Sequence, residues 1–302
     1  MYVFRRPFDY AVLAVRRIVP SKAAASVTGT GDITIGAPQL AGTGTFTTTG
    51  TGAISIGVPV LAGTGSFATT GSGAISIGIP VIAGSGSFTV TGTGAVSIAG
   101  PVLAATGSFA TTGSGAISIG IPVLAGTGTV TGPPGSGDIT IAPPVVAGTG
   151  SFATTGTGAI TIGGPSVAGS GTVADPGTGS GAISIGPPQV AGTGSFATTG
   201  AGAVSISPPV LDGSGTFVGP ASGTGVITIP APVLAGTGTL IYTGSGTITI
   251  AGPVLSGYSV LATRAAASDS AYGGAVGSDA AYTAAGAGDL ALVGATASDS
   301  EV

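Results

Sequence analysis

Residues 59–78 read PVLAGTGSFATTGSGAISIG, and the fold follows from how this stretch alternates. Leu61, Gly63, Gly65, Phe67, Gly71, Gly73, Ile75 and Ile77 occupy every second position. Ala62, Thr64, Ser66, Ala68, Thr70, Ser72, Ala74 and Ser76 fall between them. Period-two alternation is the pattern of strands with one buried and one exposed face. Phe and Ile share the inner face with glycines, while hydroxyls and methyls make up the outer one.

The alternation slips phase once per unit, at Gly57-Val58-Pro59 and again at Gly78-Ile79-Pro80. Gly-X-Pro is a turn signal, because Pro fixes φ and lacks the donor that a ladder needs. The proline recurs as Pro38, Pro59, Pro80, Pro101, Pro122, Pro144, Pro165, Pro188, Pro209, Pro232 and Pro253, at spacings of 21 to 23 residues. Such a period marks a repeat architecture, in which each unit buries its apolar face against its neighbours. The longer units read TVTGPPGSGDI (129–139), TVADPGTGSGAI (172–183) and TFVGPASGTGVI (216–227). Length therefore varies after the Phe-type strand, which predicts a second turn there, since exposed turns tolerate insertion and packed strands do not. The expected unit is two strands of roughly 7–9 residues, or about 22 strands in all.

The paired glycines of each GxG lie on the inner phase. They predict places where another backbone passes too close for a Cβ. A flexible loop is the alternative, but the residue between the glycines is Thr or Ser almost throughout. Dinucleotide and phosphate-loop readings fail, because no Lys occurs in the shaft and no helical pattern follows any Gly pair.

Composition supports a repetitive β protein. Charged residues are only 5%, and His, Cys and Trp are absent, so neither a disulfide framework nor a thiolate metal site is available. Glycine falls at every second position in bursts, not every third as in collagen. Abundant Ile, Val and Phe with little charge argue against disorder. No apolar run approaches the roughly 18 residues of a membrane helix. Charge is segregated. Arg5, Arg6, Arg16, Arg17 and Lys22 cluster at the start, and Asp269, Asp279, Asp289, Asp299 and Glu301 at the end. Three parts are expected: a basic aromatic docking segment (1–26), a Gly-rich shaft (27–257) and an acidic tip with a ten-residue period (258–302).

The expected fold class is all-β, an elongated fibrous repeat protein. Two windings fit: an intertwined trimeric β-spiral and a single-chain β-solenoid. The inner face offers only about three large apolar groups per 21 residues. Three chains meeting at an axis would share these, so the trimer is the expectation. The pattern GAISIG[IV]P[VL][LI]AG[TS]G[ST]F and its variants, over about 28–257, resembles viral fibre shafts. Adenovirus-type and bacteriophage fibres carry short alternating repeats with Gly or Pro turns, wound into trimeric β-spirals. The resemblance implies a structural appendage of a phage particle, on the virion surface, with one end fixed and one free.

The first segment reads as a helix. Pro7 would open it, Asp9 and Arg16-Arg17 would complement its dipole, and Pro20 would stop it. Tyr2, Phe4, Phe8 and Tyr10 would anchor it, and Arg5, Arg6, Arg16 and Arg17 would meet an acidic virion structural protein, as aromatics and Arg do at binding hot spots. A plain cap on the shaft and a basic membrane-surface helix are the alternatives. AVLAV is too short for a signal peptide and is followed by Arg16-Arg17. In the tip, Asp269, Asp279, Asp289 and Asp299 predict decapeptide rungs with Asp at each turn. A calcium-binding Asp row is the less favoured reading.

Catalysis is not expected, because no His or Cys is present and no carboxylate pair lies in the shaft. No cofactor, metal, nucleic-acid partner or membrane insertion is implied. The expected partners are copies of the chain itself as a homotrimer, a virion protein at the N-terminal end, and a host surface glycan or protein. A secreted bacterial adhesin or an ice-binding β-solenoid is the alternative, on the strength of Thr ladders such as Thr43, Thr45, Thr47, Thr49 and Thr51.

Overall fold

A computed structural model describes residues 2–4, 10–13, 23–104, 106–176, 181–199, 202–218, 226–236, 239–244, 248–251, 254–256, 259–265, 270–272, 276–277, 280–284, 290–292 and 296–297. The chain divides into two compact units: Met1–Ala142 with Thr149–Phe152, and Pro143–Gly148 with Ala153–Val302.

Strands in both units sort into three sheets, every one parallel. Sheet A holds the Phe strands, such as Thr64–Gly71. Sheet B holds the Ile-Ser-Ile strands, such as Ile75–Ile77, and sheet C the short Val-Leu strands, such as Val60–Leu61. The protein is an all-β, single-chain β-solenoid with a repeat of about 21 residues.

In the first unit each strand lies beside its own copy one repeat earlier. Phe67 pairs with Phe46, Phe88 with Phe67 and Phe109 with Phe88. Ile75 pairs with Ile54, and Val81 with Val60. This corrects two expectations. The chain winds on itself, so the single-chain alternative holds and the intertwined β-spiral does not. Each repeat also has three strands, not two.

The reason lies in what fills the interior. The inner face takes Leu61, Phe67, Ile75 and Ile77, all nearly inaccessible, and the proline ring as well. Thr69 is buried beside them. Five large groups and a threonine fill a three-sided interior that about three groups would not. The Phe rings stack in a column, with centroids 5.4, 5.9 and 5.5 Å apart from Phe46 through Phe67 and Phe88 to Phe109, a spacing at which aromatic pairs attract.

Three corners close each turn. At the corner between B and C the proline works as anticipated. Its ring is buried, and its carbonyl accepts the next repeat's amide, as in Val81 N–H to Pro59 at 2.9 Å. The missing proline N–H leaves no gap, since Gly78 N–H bonds Ile56 and Val81 N–H bonds Pro59. The corner between A and B is the expected second turn, and it does take the insertions. The Gly107–Gly113 strand pairs with Thr129–Gly135 with a register shift between Ala110 and Gly113, so the extra residue lies in Gly132-Pro133-Pro134. In the second unit the offset is 23 at Thr172↔Ser195 but 21 at Ile183↔Val204, which puts two extra residues after Pro176.

The third corner, between C and A, falls at Ala62-Gly63. It preserves the parity of the alternation, so buried residues continue at odd numbers from Leu61 to Phe67. The sheet C strands Gln189–Gly192, Val210–Gly213 and Val233–Gly236 lengthen to four residues, and Gly192 adopts φ 129° at this corner. That conformation suits a residue without a Cβ.

The paired glycines do mark close approach, but at the corners. Gly63, Gly65 and Gly73 are partly exposed, while Gly71 is buried. A Cβ on Gly73 would collide with the carbonyl of Gly52, one turn earlier.

Candidate functional surface

The two ends predicted to carry recognition are placed only in part. Tyr2–Phe4 and Tyr10–Leu13 are strands, and residues 10–13 are extended where a helix was expected. They extend sheets A and B by one rung: Tyr2 pairs with Ala25, Phe4 with Val27 and Tyr10 with Asp32. YVF and YAVL are continuously apolar and show no alternation, and the helix-capping pattern around Pro7 and Pro20 is a local signal that pairing with Ala25 and Asp32 overrides. Arg5, Arg6, Phe8, Arg16 and Arg17 lie outside the described residues.

In the tail, Asp269, Asp279, Asp289 and Asp299 also lie outside them. The strands between them correct the decapeptide rung. Ser270 pairs with Leu290 and Val276 with Thr296, 20 residues on, and Leu261 pairs with Tyr282, 21 on. Residues ten apart belong to different sheets: Tyr272 is in sheet B and Tyr282 in sheet A. Two similar sequence segments per turn explain the ten-residue period.

The described residues offer a different feature, the contrast between outer faces in the first unit. Sheet A presents a grid in strict register. Thr43, Thr64 and Ser85 stand in one column, and Thr49, Thr70, Thr91 and Thr112 in another, each in register. Between residues 43 and 112, every outward side chain of sheet A strands is Thr, Ser or Ala. Rungs repeat at ~4.8 Å and same-face residues along a strand at ~7 Å. Thr106 and Thr127 hydroxyls approach to 3.2 Å on this grid. Such a face displays hydroxyls and methyls in rows, with no base beside them to activate an oxygen as a nucleophile.

At the corner between sheets A and B the hydroxyls turn inward to the backbone. Thr51 donates to the Thr30 carbonyl at 2.9 Å, Ser72 to Thr51 at 3.2 Å and Thr93 to Ser72 at 3.3 Å. Ser114 donates to Thr93 and Ser136 to Ser114, both at 3.2 Å. This ladder explains the Thr or Ser between the paired glycines of this corner, as in Gly71-Ser72-Gly73. Asp32 belongs to the same corner, where its Oδ1 accepts the Ala53 amide at 2.9 Å.

Sheet C differs again. Its outward positions in the first unit are aliphatic from Val58 to Ala125. The outer Val60, Val81, Val102 and Val123 stand in the sequence, but the corner at Ala62-Gly63 keeps the parity and conceals that they belong to a separate sheet.

No family model, curated protein or solved structure matches the chain.

Proposed function

We propose that the protein is a non-catalytic structural shaft of a bacteriophage particle, held by its N-terminal segment and projecting from the virion surface. The observation that supports the structural part is the identity of the rungs. Phe lies on Phe and Gly on Gly through four successive sheet A strands, and Ile35, Ile56, Ile77 and Ile98 lie in register in sheet B. A scaffold of copies can be lengthened by adding copies, each stabilised by its neighbours. The phage assignment rests on the resemblance of the repeat to viral fibre shafts in its alternation and Gly or Pro turns, not in its winding. The proposed partners are a virion structural protein at the N-terminal end, a host surface glycan or protein, and further copies of the chain.

Particle assembly tests this reading. Antibody against residues 27–257 should label intact virions, and a chain lacking residues 1–22 should fail to incorporate. Incorporation of the shortened chain would rule out N-terminal docking, and unlabelled particles would rule out the virion role.

The Thr and Ser grid of sheet A favours a second reading, a secreted adhesin or ice-binding solenoid. Thermal hysteresis from the purified chain, abolished by Thr70→Lys with Thr91→Lys, would support it over the fibre.

A further inference from the structure

We propose that copies of this chain join head to tail, the last rung of sheets A and B in one copy pairing with the first rung of the next. The inference goes beyond the fibre reading, which concerns only where one end is held. Sheet A runs in strand order from Tyr2–Phe4 to Ala280–Ala284, and sheet B from Tyr10–Leu13 to Leu290–Leu292. Among the described residues each of these four strands pairs on one side only. An edge strand of this kind offers a row of amides and carbonyls to a further strand. Sheet C enters one rung later, at Gln39–Leu40, so sheets A and B make the junction.

These end rungs are not built as caps. Terminal repeats of stacked folds turn a polar face outward, and edge strands are blunted by Lys or Pro. Here the four strands read YVF, YAVL, AAYTA and LAL, without a charge or a proline. Their register positions continue the interior columns. Tyr2 is in register with Ala25 and Ala25 with the buried Phe46. Tyr282 is in register with Leu261, Leu261 with Leu240 and Leu240 with the buried Phe217. In sheet B, Leu13 stands beyond the buried Ile35, and Leu292 beyond Tyr272 and Ile250. A junction in the same register sets Tyr282 against Tyr2 and Leu292 against Leu13, so the apolar columns run on from copy to copy.

Charge selects the occupant and its polarity. Arg5, Arg6, Arg16, Arg17 and Lys22 flank the first strands in the sequence, with one acid, Asp9. Asp269, Asp279, Asp289, Asp299 and Glu301 are interspersed with the last ones. Between Lys22 and Asp269 only Asp32, Asp138, Asp175, Asp212 and Arg264 are charged. A tail therefore meets a head of opposite charge, whereas two heads or two tails repel. The contact joins different surfaces and stacks strands in one direction, so it repeats instead of closing, and rows lengthen by adding copies.

Sedimentation equilibrium of the purified full chain tests this at low salt, where surface charges are least screened. The mass should rise with concentration through successive multiples of 27.7 kDa. A head variant (Arg5→Glu, Arg6→Glu, Arg16→Glu, Arg17→Glu) and a tail variant (Asp269→Lys, Asp279→Lys, Asp289→Lys, Asp299→Lys) should each stay monomeric. Mixed in equal amounts they should assemble again, because each end then meets an opposite charge. Rescue on mixing separates a lost contact from a lost fold. Direction is read with cysteines, since the chain has none. Val3 and Thr283 hold the register position next to Tyr2 and Tyr282 at the two ends. Adjacent strands lie ~4.8 Å apart, within disulfide reach. Val3→Cys mixed with Thr283→Cys should oxidise to a mixed dimer, and Val3→Cys alone should not dimerise. A wild-type chain that stays monomeric, a mass that stops at two copies, a mixture of the charge variants that stays monomeric, or equal linking of Val3→Cys to itself would each overturn the proposal.

Discussion

The Ser72 hydroxyl donates to the Thr51 carbonyl, 3.2 Å away and 21 residues earlier in the chain, and Thr51 donates in turn to Thr30. One such bond on an exposed corner is weak, but five in series run through consecutive turns. Replacing Thr51, Ser72, Thr93, Ser114 and Ser136 together by Ala should cost about 2–3 kcal/mol, at ~0.5 kcal/mol per exposed bond. Hydrogen exchange should quicken at the corner amides between sheets A and B before it quickens in the strands. Unchanged protection there would show that the ladder is decorative.

Glycines of the same corner should respond unequally to alanine. A Cβ on Gly52 would stand 2.6 Å from Gly31 backbone atoms, whereas on Gly29 it would meet only the Ile33 side chain at 3.5 Å. Gly52→Ala should therefore destabilise by about 1–3 kcal/mol through overpacking. Gly29→Ala should be neutral or stabilise by up to about 1 kcal/mol, because it restricts the unfolded chain. Denaturant melts of the two variants should separate in opposite directions.

Thr48 and Thr111 bury their Oγ1 atoms without a hydrogen-bond partner. Val90 occupies the same column, in register with Thr69 and Thr111, and is fully buried. Thr48→Val and Thr111→Val should each stabilise the fold by about 1 kcal/mol, the desolvation cost of an unpaired hydroxyl. A lower denaturation midpoint in either variant would show that the hydroxyl has a role in the folded state.

The phenylalanine column should tolerate valine better than alanine. Val130 pairs with Phe109 and Val173 with Phe196, so valine already serves at two rungs. Phe88, tilted against Phe67 and stacked on Phe109, should cost about 3–5 kcal/mol when replaced by Ala, and clearly less when replaced by Val. Equal losses would mean that ring stacking, not filled volume, holds the interior.

Much of this was legible in the residues alone. Alternation from Leu61 to Ile77, the phase slip at Gly78-Ile79-Pro80, the close backbone approach at paired glycines and the place of the insertions all follow from local rules, though Gly63, Gly65 and Gly73 are partly exposed where burial was expected. These are steric and solvation preferences of single residues, and they act wherever the neighbouring strand comes from. The third corner was hidden because Ala62-Gly63 turns the chain without changing parity, so a period-two pattern runs through it unbroken. The aromatic first segment and the ten-residue tail misled in the same way. Helix caps and a decapeptide period are local signals, and pairing with Ala25, Asp32 and Leu290 overrode them.

Winding was decided only by the tertiary structure. Phe67 meets a Phe strand of the same pattern at the next repeat, and a neighbouring copy of the chain would offer the same partner with the same hydrogen bonds. Local pairing energy cannot distinguish the two. What distinguishes them is closure: with a corner at Ala62-Gly63, the Pro59 ring, Leu61, Phe67, Ile75 and Ile77 converge on one interior and fill it. The sequence by itself determined the rung, its period and its inner and outer residues. The path that stacks those rungs within one chain came from the volume those inner residues enclose.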